Sequence, residues 1–301
     1  MSNKEWIFIG ALGLLWGSSF LFAELLLTRL DPILIVYLRV AIASFIMLPL
    51  LLIKHWPMKL SLGGLFSLLV MGLLNNVIPF SLIVAGQQST TAGLASILNA
   101  NTSFLAIIMA ALFIPSERLT FNRIIGVLIG IFGVVVAVDI FIFMPSATQT
   151  TMQDNAGKYF ILLATLSYAF AALWGKKYLG DLSPVLAATG MLTASTLIMT
   201  PYALYHYMDE IFTIGWDMLG IAFLLALLCS VFAYLLYFKI LEISGPGNLL
   251  ICTILIPPSA ILLEAIMLNQ AITLYEFIGM ILIIIGLLIL DGRILNWFKR
   301  L

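Results

Sequence analysis

Trp6–Leu27 reads WIFIGALGLLWGSSFLFAELLL, an apolar run broken by one serine pair and one carboxylate, Glu24. A helix needs about 20 mostly apolar residues to cross the hydrocarbon core of a bilayer, and this stretch supplies them. No small-residue cleavage site follows it, so it reads as a first membrane helix and not as a leader peptide. The rest of the chain agrees. Of 301 residues, 63% are hydrophobic and 9% charged, with a mean hydropathy of +1.16. A soluble domain carries roughly a quarter charged residues. The 14 basic and 14 acidic residues cancel, leaving no global field for nucleic acid.

Outward from that stretch, the same length rule predicts ten spans, at about 6–28, 33–53, 62–87, 91–114, 121–140, 158–176, 185–206, 216–240, 247–268 and 274–294. Helices are the expected spanning form because lipid satisfies no backbone polar groups, and strands would show short alternating segments. Asp31-Pro32 and Ser183-Pro184 set a capping side chain before a proline at the first helical position. Thr273 and Glu276 form a capping box for the last helix. Cys229 and Cys252 fall in apolar stretches and read as buried thiols.

Lysine and arginine set the orientation. With the N-terminus inside, the inner face receives Lys4, Lys54, Lys59, Arg118, Arg123, Lys176, Lys177, Lys239, Arg293, Lys299 and Arg300. The outer face keeps only Arg29 and Lys158. Both termini are therefore expected in the cytoplasm.

The chain also repeats itself. A shift of 152 residues lays Leu30-Asp31-Pro32 on Leu182-Ser183-Pro184, Pro49 on Pro201 and Trp16 on Tyr168. A shift of 153 lays Leu119-Thr120 on Ile272-Thr273, Gly126 on Gly279 and Gly133 on Gly286. Five helices is an odd number, so the second copy must insert upside down. The expected fold is an all-α integral membrane protein whose ten transmembrane helices form two inverted five-helix repeats. The first repeat is read over 1–144, an outer linker over 145–157 and the second repeat over 158–301. Inverted repeats around a midplane site are a common transporter architecture.

Several motifs then carry a family likeness: Trp16-Gly17-Ser18-Ser19-Phe20, Arg39 after Pro32, Glu117-Arg118-Leu119-Thr120, and Arg123-Ile124-Ile125-Gly126 before the fifth helix. With the duplicated unit they resemble the EamA group of the drug/metabolite transporter superfamily, over essentially the whole chain. The second half departs from the pattern, with Gln270-Ala271 where the first has Glu117-Arg118. Phe104 also stands where the second half has Pro257. The resemblance implies a bacterial cytoplasmic-membrane carrier, often an exporter of amino acids or related metabolites. It further implies a central cavity lined by helices one, three, four, six, eight and nine, and a structural role for Arg39.

Ionisable groups inside a span are costly, about 2.5–3.5 kcal/mol at mid-helix, so each needs a reason. Glu24 reads either as a proton or cation site near an outer gate or as a carboxylate paired with Arg29 or interfacial water. Glu264, seven residues beyond Pro257, suits a proton-coupled step or an ammonium group, or else faces outer water. Both are candidates for coupling.

The candidate substrate-binding set is Trp16, Ser19, Asn75, Asn76, Ser96, Asn99, Tyr168, Tyr234, Tyr237 and Thr253. Amides and rings at mid-membrane suit a small zwitterion or aromatic metabolite, while any single one also reads as an interhelical hydrogen bond. Asn101 lies on the far side of its helix from Asn99. Pro79 and Pro257 are candidates for gating kinks. Trp174, beside Lys176 and Lys177, reads as an interface anchor. Gly126-x-x-x-Gly130 reads as close helix packing or a dimer contact.

Alternating access by a secondary transporter follows, with a small-molecule substrate, lipid contact and protons as coupling ion, in a monomer or weak homodimer. No cofactor or metal is expected. Uptake, or carriage of a nucleoside, vitamin or drug-like cation, is the alternative. An enzyme is disfavoured because His55 and His206 lie at opposite faces, and no zinc motif or phosphate loop occurs. A channel is disfavoured because no ring of charges or filter motif occurs.

Overall fold

The computed structural model describes residues 3–55, 60–114, 117, 120–137, 152–180 and 182–291. Its helices are α1 (Asn3–Leu27), α2 (Pro32–His55), α3 (Leu62–Gly86), α4 (Ala92–Phe113), α5 (Phe121–Ala137), α6 (Met152–Tyr178), α7 (Pro184–Thr213), α8 (Trp216–Ile240), α9 (Ile251–Leu268) and α10 (Leu274–Asp291). Eight are long and apolar enough to cross a membrane, and α5 and α10 are shorter apolar helices. No strand occurs among the described residues. Large side chains such as Phe45, Phe66, Leu112 and Leu128 point outward, as lipid-facing residues do.

The capping chemistry works as the sequence predicts. Asp31 Oδ1 accepts from the Ile33 amide at 2.8 Å, and Ser183 Oγ accepts from Leu186 at 3.4 Å. At α10, the Thr273 amide donates to Glu276 Oε2 at 2.8 Å while the Glu276 amide donates to Thr273 Oγ1 at 3.3 Å. Helix α9 ends on Asn269, whose left-handed backbone (φ 54°) asparagine tolerates.

Three boundaries differ from expectation. Helix α6 starts at Met152, so part of the predicted linker 145–157 is helical, and its residues 145–151 lie outside the described residues. Helix α7 runs to Thr213, but Tyr207 breaks its geometry (φ −124°, ψ 17°), close to the predicted end at 206. Its hydroxyl donates to Asp31 Oδ1 at 2.6 Å, which explains why the chain turns there. Helical backbone also runs unbroken from Ala233 to Leu268, through the loop predicted between α8 and α9. A proline removes one backbone bond from a membrane helix without ending it. Of the charges used for orientation, Lys59, Arg118, Arg293, Lys299 and Arg300 lie outside the described residues.

Packing follows a two-fold pattern. Helices α5 and α10 cross through glycines: a methyl added at Gly126 would meet the Gly286 carbonyl at 2.8 Å, and one at Gly133 would meet the Gly279 carbonyl at 2.8 Å. Because Gly126 matches Gly279 in the repeat and Gly133 matches Gly286, the two contacts are one contact seen twice. Gly130 lies against the Phe104 ring, so the Gly126-x-x-x-Gly130 face is spent inside this fold. Helices α2 and α7 pair similarly, with Ser44 and Thr193 hydroxyls 2.9 Å apart. Gly17 lets α1 lie on Ser259 and Ala260 of α9.

Two helices are interrupted alike. A π-helical turn spans Leu73–Val77 in α3, and another spans Leu227–Phe232 in α8. Such turns widen the backbone and recur at functional sites. In α3 the cause is local. Pro79 has no N–H to offer the Leu74 carbonyl, and Ser167 of α6 donates to it instead at 2.7 Å. Both turns face the centre of the bundle.

Candidate transport cavity

A cavity of about 740 Å³ lies between the two π-turns. Of the ten predicted binding residues, nine line it: Trp16, Ser19, Asn75, Ser96, Asn99, Tyr168, Tyr234, Tyr237 and Thr253. They come from α1, α3, α4, α6, α8 and α9. Asn76 does not line it. Its amide donates to Ser195 Oγ at 2.9 Å and reaches the Met191 carbonyl at 3.5 Å, so it stitches α3 to α7. Consecutive residues on a helix diverge by about 100°, so Asn75 turns to the cavity while Asn76 turns to α7.

Rings form much of the wall. Trp16 and Tyr237 stand 5.9 Å apart across α1 and α8, and Tyr234 packs on Phe238. Asn75 Nδ2 donates to the Tyr234 hydroxyl at 3.4 Å. Asn101 lies outside the lining and donates to Thr165 at 3.3 Å, as its position on the far face predicts. Trp174 anchors at the helix end through a bond to the Ser67 carbonyl at 3.1 Å and a ring contact with Tyr178.

The cavity extends past Gly175, Lys176 and Gly180 to Pro184 and Ala187, the α6–α7 connection. Counting spans, that connection lies on the same side as the N-terminus. The other end is sealed at the start of α4. There the Ala92 amide donates to Glu24 Oε2 at 2.8 Å, the Gly93 amide to Glu264 Oε2 at 2.6 Å, and the Leu94 amide to Thr91 Oγ1 at 3.1 Å. Three orphan amides of one helix are thus capped from α1, α9 and the helix's own cap.

The partners of Glu24 correct the sequence reading. Its other oxygen accepts from Gln270 Nε2 at 2.9 Å, while Arg29 pairs with Asp217 at 2.7 Å. Glu264 is 5% exposed, so it does not face outer water. Neither carboxylate lines the cavity, and neither do Pro79 and Pro257, whose neighbours Phe80 and Ile256 do.

At the open end, Lys176 Nζ donates to Glu117 Oε1 at 2.7 Å, and Arg123 reaches Oε2 at 3.2 Å. The hydrogen bond from Lys176, then that from Arg123, holds the Glu117 carboxyl below the usual carboxylate range.

Sequence reasoning missed Arg39 as a wall residue. Arg39 lines the cavity while its Nε donates to Ser230 Oγ at 3.0 Å and its Nη2 to the Cys229 carbonyl at 3.3 Å, both in the second π-turn. Its guanidinium carbon sits 3.9 Å from the Phe80 ring centre. Hydrogen bonds from a charged group are worth about 1.5–3 kcal/mol each, which offsets its cost in the span. Gln87, Thr102, Met191 and Lys176 were missed as well. Gln87 sits at the end of α3, where length rules expect only a helix boundary.

A model of the EamA-like transporter family matches residues 4–138 and again 155–290. The chain belongs to the EamA-like transporter family. This EamA protein is 24% identical over 289 residues to an uncharacterized transporter of Archaeoglobus fulgidus, covering 95% of this chain and 98% of that one. It is also 24% identical to a probable amino-acid metabolite efflux pump of Salmonella typhimurium, over 96% of this chain and 95% of the pump. A solved crystal structure superposes with a TM-score of 0.67 at 15% identity, covering 98% of this chain and 99% of the other, and shares its fold.

Proposed function

We propose that this EamA transporter exports amino acids or related small metabolites from the cytoplasm by alternating access. The observation that carries the reading is a polar and aromatic cavity open at one end and sealed at the other by carboxylates gripping one helix start. A volume near 740 Å³ falls in the range of about 300–1,000 Å³ typical of small-molecule sites. The names given to the efflux pumps of Salmonella typhimurium and Escherichia coli support amino-acid metabolites as cargo.

The excess of lysine and arginine on the terminal side supports cytoplasmic termini in a bacterial inner membrane. The cavity then faces the cytoplasm in this state. Outward opening requires Glu24 and Glu264 to release the α4 amides, and protonation weakens a carboxylate as an acceptor. That makes the pair the coupling site, with Pro79 and Pro257 as the points where α3 and α9 bend beside the wall.

Purified protein in proteoliposomes tests this. Saturable, competable flux of labelled amino acids distinguishes a carrier from a channel. Glu24→Gln and Glu264→Gln, assayed across a pH jump, are expected to lose proton dependence. If both keep wild-type rates and pH response, neither carboxylate carries the coupling proton.

A further inference from the structure

We infer that Arg39 anchors a carboxylate of the cargo, and that Asn99 faces its amino group, so the cavity selects amino acids over simple amines and organic cations. This rests on the transport reading above and narrows its substrate class.

Among the described residues, the cavity wall holds two cations, Arg39 and Lys176, and no aspartate or glutamate. Lys176 is already paired with Glu117. Arg39 is 9% exposed, and no carboxylate pairs with it among the described residues. Its Nε and Nη2 are held by the second π-turn and its face by Phe80. Nη1 has no hydrogen-bond partner among the described residues. A guanidinium fixed along one edge and free at Nη1 is pre-organised to donate to a carboxylate. The same field repels a cargo that carries only positive charge.

Acceptors stand elsewhere on the wall. The side-chain oxygens of Asn99, Gln87 and Thr102 are buried without a partner, and all three residues line the cavity. The orientation of Gln87 is set by its own amide, which donates to the Phe20 carbonyl at 2.9 Å and leaves Oε1 as a pure acceptor. A buried acceptor without a donor is costly, and an ammonium supplies three donors. Asn99 stands at the depth of Arg39. Each is seven residues from the helix start at the sealed end, Ala92 and Pro32, or about 11 Å by helical rise. Gln87 lies nearer the seal, where it would accept from a polar group on the cargo's far end. Trp16, Tyr234 and Tyr237 offer ring surface to an apolar side chain.

Counterflow in proteoliposomes with tritiated neutral L-amino acids tests this, using unlabelled competitors that change one pole at a time. L-phenylalanine and L-leucine are compared with phenethylamine and isoamylamine, which lack the carboxylate, with the amino-acid amides, and with 3-phenylpropionate, which lacks the amine. In wild type the amines and amides are expected to compete about tenfold or more weakly than the parent acids. Arg39→Gln abolishes that preference, Arg39→Lys keeps it in weaker form, and Asn99→Ala lets 3-phenylpropionate compete as well as phenylalanine.

Equal competition by amines and acids in wild type overturns the Arg39 assignment while leaving transport intact, and needs no variant to fold. An Arg39→Gln protein that keeps the carboxylate preference overturns it too. Equal competition by phenylalanine and 3-phenylpropionate in wild type overturns the role of Asn99. If no compound drives counterflow, the amino-acid export reading falls together with this one.

Discussion

The two π-turns occupy matching places in the two repeats, yet they are held by different chemistry. In the second repeat, α8 is held by a cation: Arg39 of α2 reaches Ser230 and Cys229. In the first, α3 is held by neutral groups, with Asn76 on Ser195 and Ser195 on the Gly72 carbonyl at 3.1 Å. The repeat partner of Arg39 is Met191, which contributes its backbone carbonyl and no charge. Duplication supplied a symmetric frame, and divergence at one position gave the cavity a positive side. The ends differ in the same way. Glu24 and Gln270 match Lys176 and Glu117 under the repeat, so a carboxylate–amide contact seals one end while an ion pair flanks the opening at the other.

Making the halves alike should have the largest effect. Arg39→Met copies the second repeat's residue into the first and is expected to lower the initial rate of amino-acid flux about 10- to 100-fold, measured in proteoliposomes. Asn76→Ala breaks the neutral turn instead. It is expected to cost about 1–3 kcal/mol in unfolding free energy, read as a lower thermal midpoint, while the KM of the folded protein stays unchanged. A raised KM with no loss of stability would make the two turns functionally equivalent and dissolve the contrast.

The ends give smaller effects. Glu264→Gln removes a charged cap from α4 and is expected to weaken the seal by about 1 kcal/mol, read as faster labelling of a cysteine introduced at Ser96, which is buried behind it. Glu117→Gln is the mildest change, worth less than about 1 kcal/mol because the pair is partly exposed. Since the carboxyl of Glu117 is held below its usual range, its contribution is present above the unfolded value near 4.5 and fades as pH falls through the lower folded value. Wild type and Glu117→Gln should therefore differ in thermal midpoint at pH 7 and converge as the pH falls well below 4.5.

Features that depend on neighbours in sequence were legible before any coordinates. Hydropathy marked the spans, Asp31-Pro32 and Thr273–Glu276 marked helix starts, and the glycines of α5 and α10 marked the repeat. Nine of the ten predicted wall residues could be found because polar groups in an apolar helix seldom face lipid. What failed required knowledge of distant contacts. Arg29, five residues away, is one partner the sequence offers Glu24, but chain entropy does not favour a near partner over Gln270 once the bundle has assembled. Arg39 read as structural, which its bonds to the π-turn support, and nothing in its own helix revealed that one nitrogen is left over.

The glycine seam between α5 and α10 bears on how such a protein is made. Helix α10 is made after α5, so α5 waits in the bilayer through four further helices with its backbone groove bare. Its mate cannot be replaced by a bulkier stand-in, because the groove admits only a hydrogen at each crossing. The seam therefore closes only once α10 has inserted, and quality-control machinery that recognises an exposed small-residue groove would find every copy marked until that moment.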